Sequence, residues 1–222
     1  MASVLCLAGV AQDDNSYSML VYLSDGNVET YSVAEVDSVV FVEVSDESDD
    51  YESVDLGLSV KWATCNIGAD SPTDYGNYYA WGETATKSSY TSSNSTTYSV
   101  EMEDIAGNAE YDVATANWGG SWRMPTYDEY QELLDSCTWE WTTEDDVNGY
   151  LVTGPSGNSI FLPYAGYRRA SFYYSSGGGC YWCSTPYGDG NGLAGCLYFT
   201  SSSQSLEGFY RYRGQSVRPV SE

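Results

Sequence analysis

The sequence predicts an α+β fold with two short helices and many short antiparallel strands, and three observations carry that expectation. Only two stretches, "DVATANW" and "TYDEYQELLDSC", join a helix cap to helically spaced apolar residues. After the second, the chain offers only strand and turn signals. The composition is that of a tyrosine-rich β protein, with 22 Tyr and 22 Gly among 222 residues.

Taken in order, residues 1–12, "MASVLCLAGVAQ", are too short to span a bilayer. Their small apolar run, with Gly9 and Ala11 before Gln12, has the look of the end of a secretory signal, without its basic start. This predicts a secreted or cell-surface protein. No other stretch has the length and apolarity of a membrane span, so direct membrane insertion is not expected. Residues 13–44 read as a small N-terminal β module. In it "SMLVYL" and "VETYSV" flank "SDGN", whose Asp25-Gly26 is a hairpin turn signal, and "SVVFVEV" makes a third strand. So short a piece buries little core alone, so it is expected to pack on a neighbour or on an anchoring or pilus partner. The acidic run 45–53 reads as a solvated linker.

The main domain is expected over 54–222. "LSVKWATCNIG" predicts a strand, and "YGNYYAWGE" is a second aromatic stretch. Residues 84–99 are mostly Ser and Thr and predict a long surface loop. Within it Asn94-Ser95-Thr96 fits a glycosylation acceptor, relevant only in a eukaryotic secretory route. Asp112 is placed to cap the first helix. Thr126 and Glu129 form a capping box for the second, where Tyr130, Leu133, Leu134 and Cys137 share a face. "GYLVTG", "SIFLP", "YWCST", "CLYFT" and "QSVRPV" then read as strands, with a turn from Gly154 to Gly157. Trp62, Trp81, Trp118, Trp122 and Trp182 are expected in the core.

Charge and composition exclude several functions. The formal net charge of −24 argues against nucleic acid and anionic membranes as partners. There is no histidine, which removes His-based catalysis and the commonest zinc ligand. Cys6, Cys65, Cys137, Cys180, Cys183 and Cys196 show no four-ligand spacing. Asp145-Asp146 and Glu103-Asp104 lack the spacing of a calcium loop and read as solvated charge. No metal and no cofactor is therefore predicted. Cys180 and Cys183 have a dithiol spacing, but no helix start follows them to lower a thiol pKa. Cys65 and Cys137 are free thiols or a disulfide.

One window stands apart. Over residues 168–213, Tyr, Ser and Gly fill 23 of 46 positions. Four Arg against two acids leave that window at +2, so the rest of a chain of net −24 carries −26. A near-neutral, Tyr-rich patch on a repulsive body has the chemistry of a contact surface. In "GCLYFT", strand alternation puts Leu197 and Phe199 toward the core and Cys196, Tyr198 and Thr200 outward.

Seven strings occur in order: "VDLGLSVKWATCNIGA", "YGNYYAWGET", "ATANWGGSWRMPT", "ELLDSCTWEW", "GPSGNSIFLPYAGYR", "YWCSTP" and "GQSVRPV". Together they resemble the Fibrobacter succinogenes major paralogous domain, a large family of Bacteroidetes surface proteins, over about Val54 to Val220. The segment Ser18–Glu43 resembles the β module that often precedes it. The resemblance implies a C-type lectin fold of the kind shared with formylglycine-generating enzymes. It also implies a function, since some members are variable proteins of diversity-generating retroelements. In those, a template is copied with changes at adenines into the 3′ end of the gene, a process that cannot produce Lys, Met, Glu, Gln or Trp from Asn codons. The window 168–213 holds no Lys and no Met, and Trp182, Gln204 and Glu207 would be unmutated scaffold. The family normally has Ser where Cys183 stands, and a Ser codon becomes a Cys codon by changing one adenine.

On that reading the variable, ligand-binding face comprises Arg169, Tyr173, Tyr174, Gly178, Cys180, Tyr187, Gly188, Asp189, Asn191, Gly195, Cys196, Tyr198, Ser203, Ser205, Phe209, Tyr210, Tyr212 and Arg213. The aromatic members Tyr173, Tyr174, Tyr198, Phe209, Tyr210 and Tyr212 would be its hot spots. The ligand would be a protein or glycan on another cell or phage, and the chain would not be an enzyme. Two alternatives stay open. One is a non-diversified surface lectin or adhesin subunit with bound calcium. The other is an oxidase of the formylglycine-generating type, although the catalytic strings of such enzymes are not visible here.

Overall fold

The computed structural model describes Ser18–Tyr22, Val28–Ser32 and residues 51–222. The chain divides into two units, Met1–Ser45 and Asp46–Glu222. In the first, β1 (Ser18–Tyr22) pairs antiparallel with β2 (Val28–Ser32), Ser18 opposite Ser32 and Tyr22 opposite Val28. The connecting residues 23–27 hold the Asp25-Gly26 turn signal. The connection itself, the signal-like segment 1–12 and the expected strand "SVVFVEV" lie outside the described residues.

Packing in the second unit includes the end of the acidic 45–53 run. Tyr51 stacks on Trp118 with ring centroids 3.8 Å apart. Thr64 N–H donates to the Glu52 carbonyl at 3.0 Å. β3 (Ser53–Val54) and β13 (Val220–Ser221) flank β4 (Lys61–Ala63), so that Trp62 stands opposite both Val54 and Val220. The expected strand "LSVKWATCNIG" is thus reduced to its centre. Beyond Ala63 the chain leaves the sheet, because Asn66 turns inward to accept from Arg218 Nε at 2.8 Å and Gly68 takes a φ of 74°. Most of "QSVRPV" is likewise irregular. Its carbonyls serve different neighbours, Ser216 O accepting from Trp182 N–H at 3.1 Å and Val217 O from Ile67 N–H at 3.0 Å.

Both helices form where their caps predict. Asp112 Oδ1 accepts from Ala114 and Thr115 N–H, at 2.8 and 3.2 Å, and opens α1 (Val113–Trp118). Thr126 and Glu129 close the capping box of α2 (Tyr127–Ser136), and Arg123 clamps Glu129 through two bonds of 2.6 and 2.9 Å. Such caps contribute about 1 kcal/mol each. A meander follows: β5 (Thr138–Glu144), β6 (Val147–Thr153) and β7 (Ser159–Pro163). Asp145 and Asp146 are the two-residue turn between its first strands, with φ of 45° and 64°, a conformation that Asp tolerates.

The window at 168–213 builds the rest: the hairpin β8 (Tyr167–Arg169) and β9 (Phe172–Tyr174), then the sheet β10 (Gly179–Pro186), β11 (Leu193–Thr200) and β12 (Ser203–Tyr210). Two hydrophobic cores cover this sheet, one on each face. Tyr181, Cys183, Leu197 and Phe199 join the first, with Trp62, Tyr130, Leu133 and Leu162. Cys180, Trp182, Ala194 and Cys196 join the second, with Trp81, Trp118, Trp122 and Met124. Period-two alternation sorts the side chains between them. All five tryptophans expected inside are buried. Two of them satisfy their indole N–H on backbone, Trp81 on Cys183 O at 2.9 Å and Trp182 on Tyr79 O at 2.8 Å.

Candidate ligand-binding face

The second core ends before the sheet does. By register Ala194 opposes Phe209, Cys196 opposes Glu207 and Tyr198 opposes Ser205, so these six share one face. Ala194 and Cys196 lie under the core, whereas Tyr198 and Phe209 pack at its edge, half-buried. From that edge a run of rings begins. Tyr198 lies 5.8 Å from Phe209, and the Arg213 guanidinium carbon lies 5.0 Å from Phe209, 4.9 Å from Tyr167 and 5.8 Å from Tyr210. Tyr167 stacks on Tyr174 at 4.9 Å, and Tyr210 stacks on Tyr212 at 5.3 Å. Tyr98, from the 84–99 loop, meets Tyr210 and Tyr212 edge-on at 6.3 and 5.2 Å. Residues distant in sequence therefore converge on Arg213 through cation–π contacts, each contributing about 0.5–1 kcal/mol at exposed sites. Arg213 Nε is buried and has no hydrogen-bond acceptor among the described residues. Its guanidinium is held in place by rings rather than by hydrogen-bond acceptors.

Three consecutive glycines, Gly177 to Gly179, lead into β10 and let rings pack closely over them. A Cβ on Gly177 would stand 2.4 Å from the Tyr167 ring, one on Gly178 2.3 Å from Tyr198, and one on Gly179 2.0 Å from Phe199. Each glycine is the floor on which one ring lies.

The expected face is not a single surface. Arg169, Tyr173, Tyr174, Gly188, Asp189, Asn191, Ser203 and Tyr210 are exposed, and Tyr187, Tyr198, Ser205, Phe209, Tyr212 and Arg213 are half-buried. Gly178, Cys180, Gly195 and Cys196 are buried, against expectation. The reason is the second core: the outward face of β10 and β11 is itself covered, so Cys180 and Cys196 alternate away from one core into another. Gly195 is confined because a Cβ there would stand 2.5 Å from Cys183 Sγ. Gly178 has a φ of 100° and lies beneath Tyr198.

Among the accessible positions, Tyr174, Tyr198, Phe209, Tyr210, Tyr212 and Arg213 come together. Tyr173 does not, since it pairs with Arg168 on the other side of the β8–β9 hairpin and meets Tyr78 at 5.7 Å. Tyr187 turns toward Tyr127, 6.3 Å away. Asn191 accepts the Ser99 N–H on its carbonyl at 2.8 Å, beside Tyr98. Sequence reasoning missed Tyr98, Tyr167 and Phe172, of which Phe172 is the most exposed large apolar side chain among the described residues, at 66%. The signal for Tyr98 was its place as one of two aromatics in the Ser/Thr run 84–99. Tyr167 was hidden inside a string read as scaffold.

The thiols point away from redox chemistry. Cys180 and Cys183 project from opposite faces of β10, into different cores. Burial pushes the Cys183 thiol up to about 12 and Cys137 up to about 11. Cys196 is raised by burial and by its hydrogen bond with Cys180. A reactive thiol needs the opposite shift. Cys65 and Cys137 are both free and half-buried, which resolves the alternative of a disulfide between them. Among the described residues no three Cys, Asp or Glu side chains converge as a metal site would need.

Comparison of the chain with protein-family models, curated proteins and solved structures finds no match.

Proposed function

We propose that this chain is a ligand-binding surface protein whose Tyr-rich face is diversified by retroelement mutagenesis on a C-type lectin-like scaffold. The observation that carries the reading is the run of rings converging on Arg213. It is assembled from the chemically biased window, bears an unpaired cation and sits at the edge of a doubly covered sheet. Tyr supplies large contact area at small entropic cost, and Ser and Gly supply adaptable contacts, the combination found in antibody loops. The seven collinear strings support the scaffold part of the reading, because they contribute Trp62, Trp81, Trp118, Trp122 and Trp182 to the cores. Gly178, Cys180, Gly195 and Cys196 are buried, so this reading leaves them out of the ligand-binding face. The partner is a protein or glycan on another cell or phage, and the N-terminal module anchors the secreted chain to the cell surface or a pilus. The role is binding, not catalysis, and nucleic acid is not a partner.

The decisive experiment is inspection of the gene's neighbourhood. A reverse transcriptase gene and a near-copy of the 3′ end are expected, with differences at adenines in codons for Tyr174, Tyr198, Phe209, Tyr210, Tyr212 and Arg213. An intact neighbourhood holding neither element overturns the retroelement reading. Differences falling equally on the codons for Cys180 and Gly195 overturn the assignment of the face.

A further inference from the structure

We infer that a cavity on the far side of the β8–β9 hairpin binds an acidic sugar residue through Arg168. The cavity has a volume of about 250 Å³ and is lined by Asn77, Tyr78, Thr86, Lys87, Tyr90 and Arg168, with Gly76 at its edge. The inference is independent of whether the Arg213 face varies. Strand alternation puts Arg168 with Tyr173, away from Tyr167 and Tyr174, which belong to that face.

Arg168 is held in place without being used. Its backbone is fixed in both directions by Gly214, the N–H donating at 2.7 Å and the carbonyl accepting at 2.9 Å. Its guanidinium carbon lies 5.1 Å from the Tyr78 ring centre and 5.8 Å from that of Tyr173. Those rings are themselves fixed, since both hydroxyls donate to Ala165 O, at 2.5 and 3.1 Å. No carboxylate or carbonyl among the described residues accepts from the guanidinium. A planar fork of donors, positioned by rings and left uncommitted, suits bidentate capture of a carboxylate. Lys87 adds a second cation, partly offset by its ion pair with Glu83 at 2.7 Å and bonded to Asn94 O at 2.9 Å. The local balance of Arg168, Lys87 and Glu83 is still positive, on a chain of net charge −24.

The walls argue for a sugar in preference to a bare anion. The volume falls just below the roughly 300 Å³ at which pockets for drug-sized ligands begin, which is room for one ring-sized unit. Tyr78 and Tyr90, both buried, back the wall, and the exposed Asn77 amide and Thr86 hydroxyl offer partners for sugar hydroxyls. Tyr90 is no free donor itself, because its hydroxyl already donates to Tyr78 O.

The test titrates the full chain by calorimetry with glucuronate, N-acetylneuraminate, glucose, sodium sulfate and a Glu-rich peptide. One or both acidic sugars are expected to bind at least about tenfold tighter than glucose and sulfate, and more weakly as salt is raised. Arg168→Gln should weaken that binding about tenfold or more, the effect of losing a charge-assisted pair. Lys87→Gln should weaken it less, and Lys61→Gln, exposed at the start of β4, should leave it unchanged. Thermal unfolding of Arg168→Gln is followed in parallel, and a second variant, Thr86→Val, is expected to lower sugar affinity without altering the fold. The proposal is overturned by equal binding of glucose, by sulfate or the peptide binding as tightly as the sugars, or by no loss in folded Arg168→Gln.

Discussion

Arg218 is completely buried, and its guanidinium donates to Asn66 Oδ1 at 2.8 Å, to Ala63 O and Phe161 O at 3.0 Å, and to Thr64 O at 2.5 Å. Arg211 is likewise buried beneath the 84–99 loop, donating to Val100 O at 2.8 Å and Leu193 O at 3.1 Å. Arg168 and Arg213, in the same part of the chain, touch almost nothing but aromatic rings. The contrast divides the molecule by use of donors. Inside, the guanidinium bonds all go to the protein itself, to the Asn66 amide and to backbone carbonyls of strands and loops, so arginine ties separate segments together. At the edge, rings position the cation and leave its donors for another molecule.

The largest effect is expected where the inner set is broken. Arg218→Met removes donors from four acceptors at once, three of them buried, and orphaned buried acceptors cost roughly 1–3 kcal/mol each. A loss of about 4 kcal/mol or more is predicted by urea unfolding, with much of the chain insoluble. A loss under about 1 kcal/mol would show that water replaces the guanidinium and that the interior role is misassigned. Gly195→Ala comes next, at about 2 kcal/mol, because its Cβ would press on Cys183 Sγ at 2.5 Å. The double variant with Cys183→Ala should lose less than the sum of the two single losses. Additive losses would mean that the clash is taken up elsewhere, and no loss at all would return Gly195 to the surface.

Much of this interior was legible beforehand, and the reasons are local. Asp112, Thr126 and Glu129 announce both helices because a cap is a contact between neighbours in sequence. The alternation of Leu197 and Phe199 gave the correct core side of β11. What failed was the inference that the other side of the strand is open. Cys180 and Cys196 are covered by Trp118, Trp122 and Met124, and the spacing of a strand says nothing of what a distant segment lays over it. The same limit applies to the face. Tyr210 and Tyr212 were visible as members, but their contact with Tyr98 is a matter of tertiary packing.

Alkaline pH should separate interior from edge more gently. Burial raises the Cys183 thiol from its ordinary 9.0 to about 12. A thiol raised in the folded state gives stability that is complete below pH 9 and lost as pH climbs toward 12. The chain should therefore lose roughly 1.4 kcal/mol by pH 10 from this group, one pK unit's worth. Cys183→Ser removes that portion, so its unfolding midpoint should move less between pH 8 and pH 10. At pH 8 the same substitution is expected to cost less than about 1 kcal/mol, since the serine hydroxyl can donate to Thr185 O as the thiol does at 3.7 Å. A cost above about 2 kcal/mol would make Cys183 a required core residue and not a substitutable one.

The smallest stability effect belongs to the edge, and there it is the informative result. Tyr210 is 44% exposed and its ring contacts are with Tyr98, Tyr212 and Arg213, all at the surface run. Tyr210→Ala should change unfolding free energy by no more than about 0.5 kcal/mol, the range of ordinary surface substitutions. On the proposed function it should also weaken binding of the cognate partner by about 2 kcal/mol, as truncation of an aromatic hot spot does. The two readouts have to separate. If Tyr210→Ala unfolds the chain as readily as a core substitution, the rings are a third core and the unpaired Arg213 is a packing defect. If stability and binding are both unmoved, the ring run is decoration. Only a stable variant with lost binding matches a surface on which side chains can be exchanged while Arg211 and Arg218 keep the scaffold closed behind it.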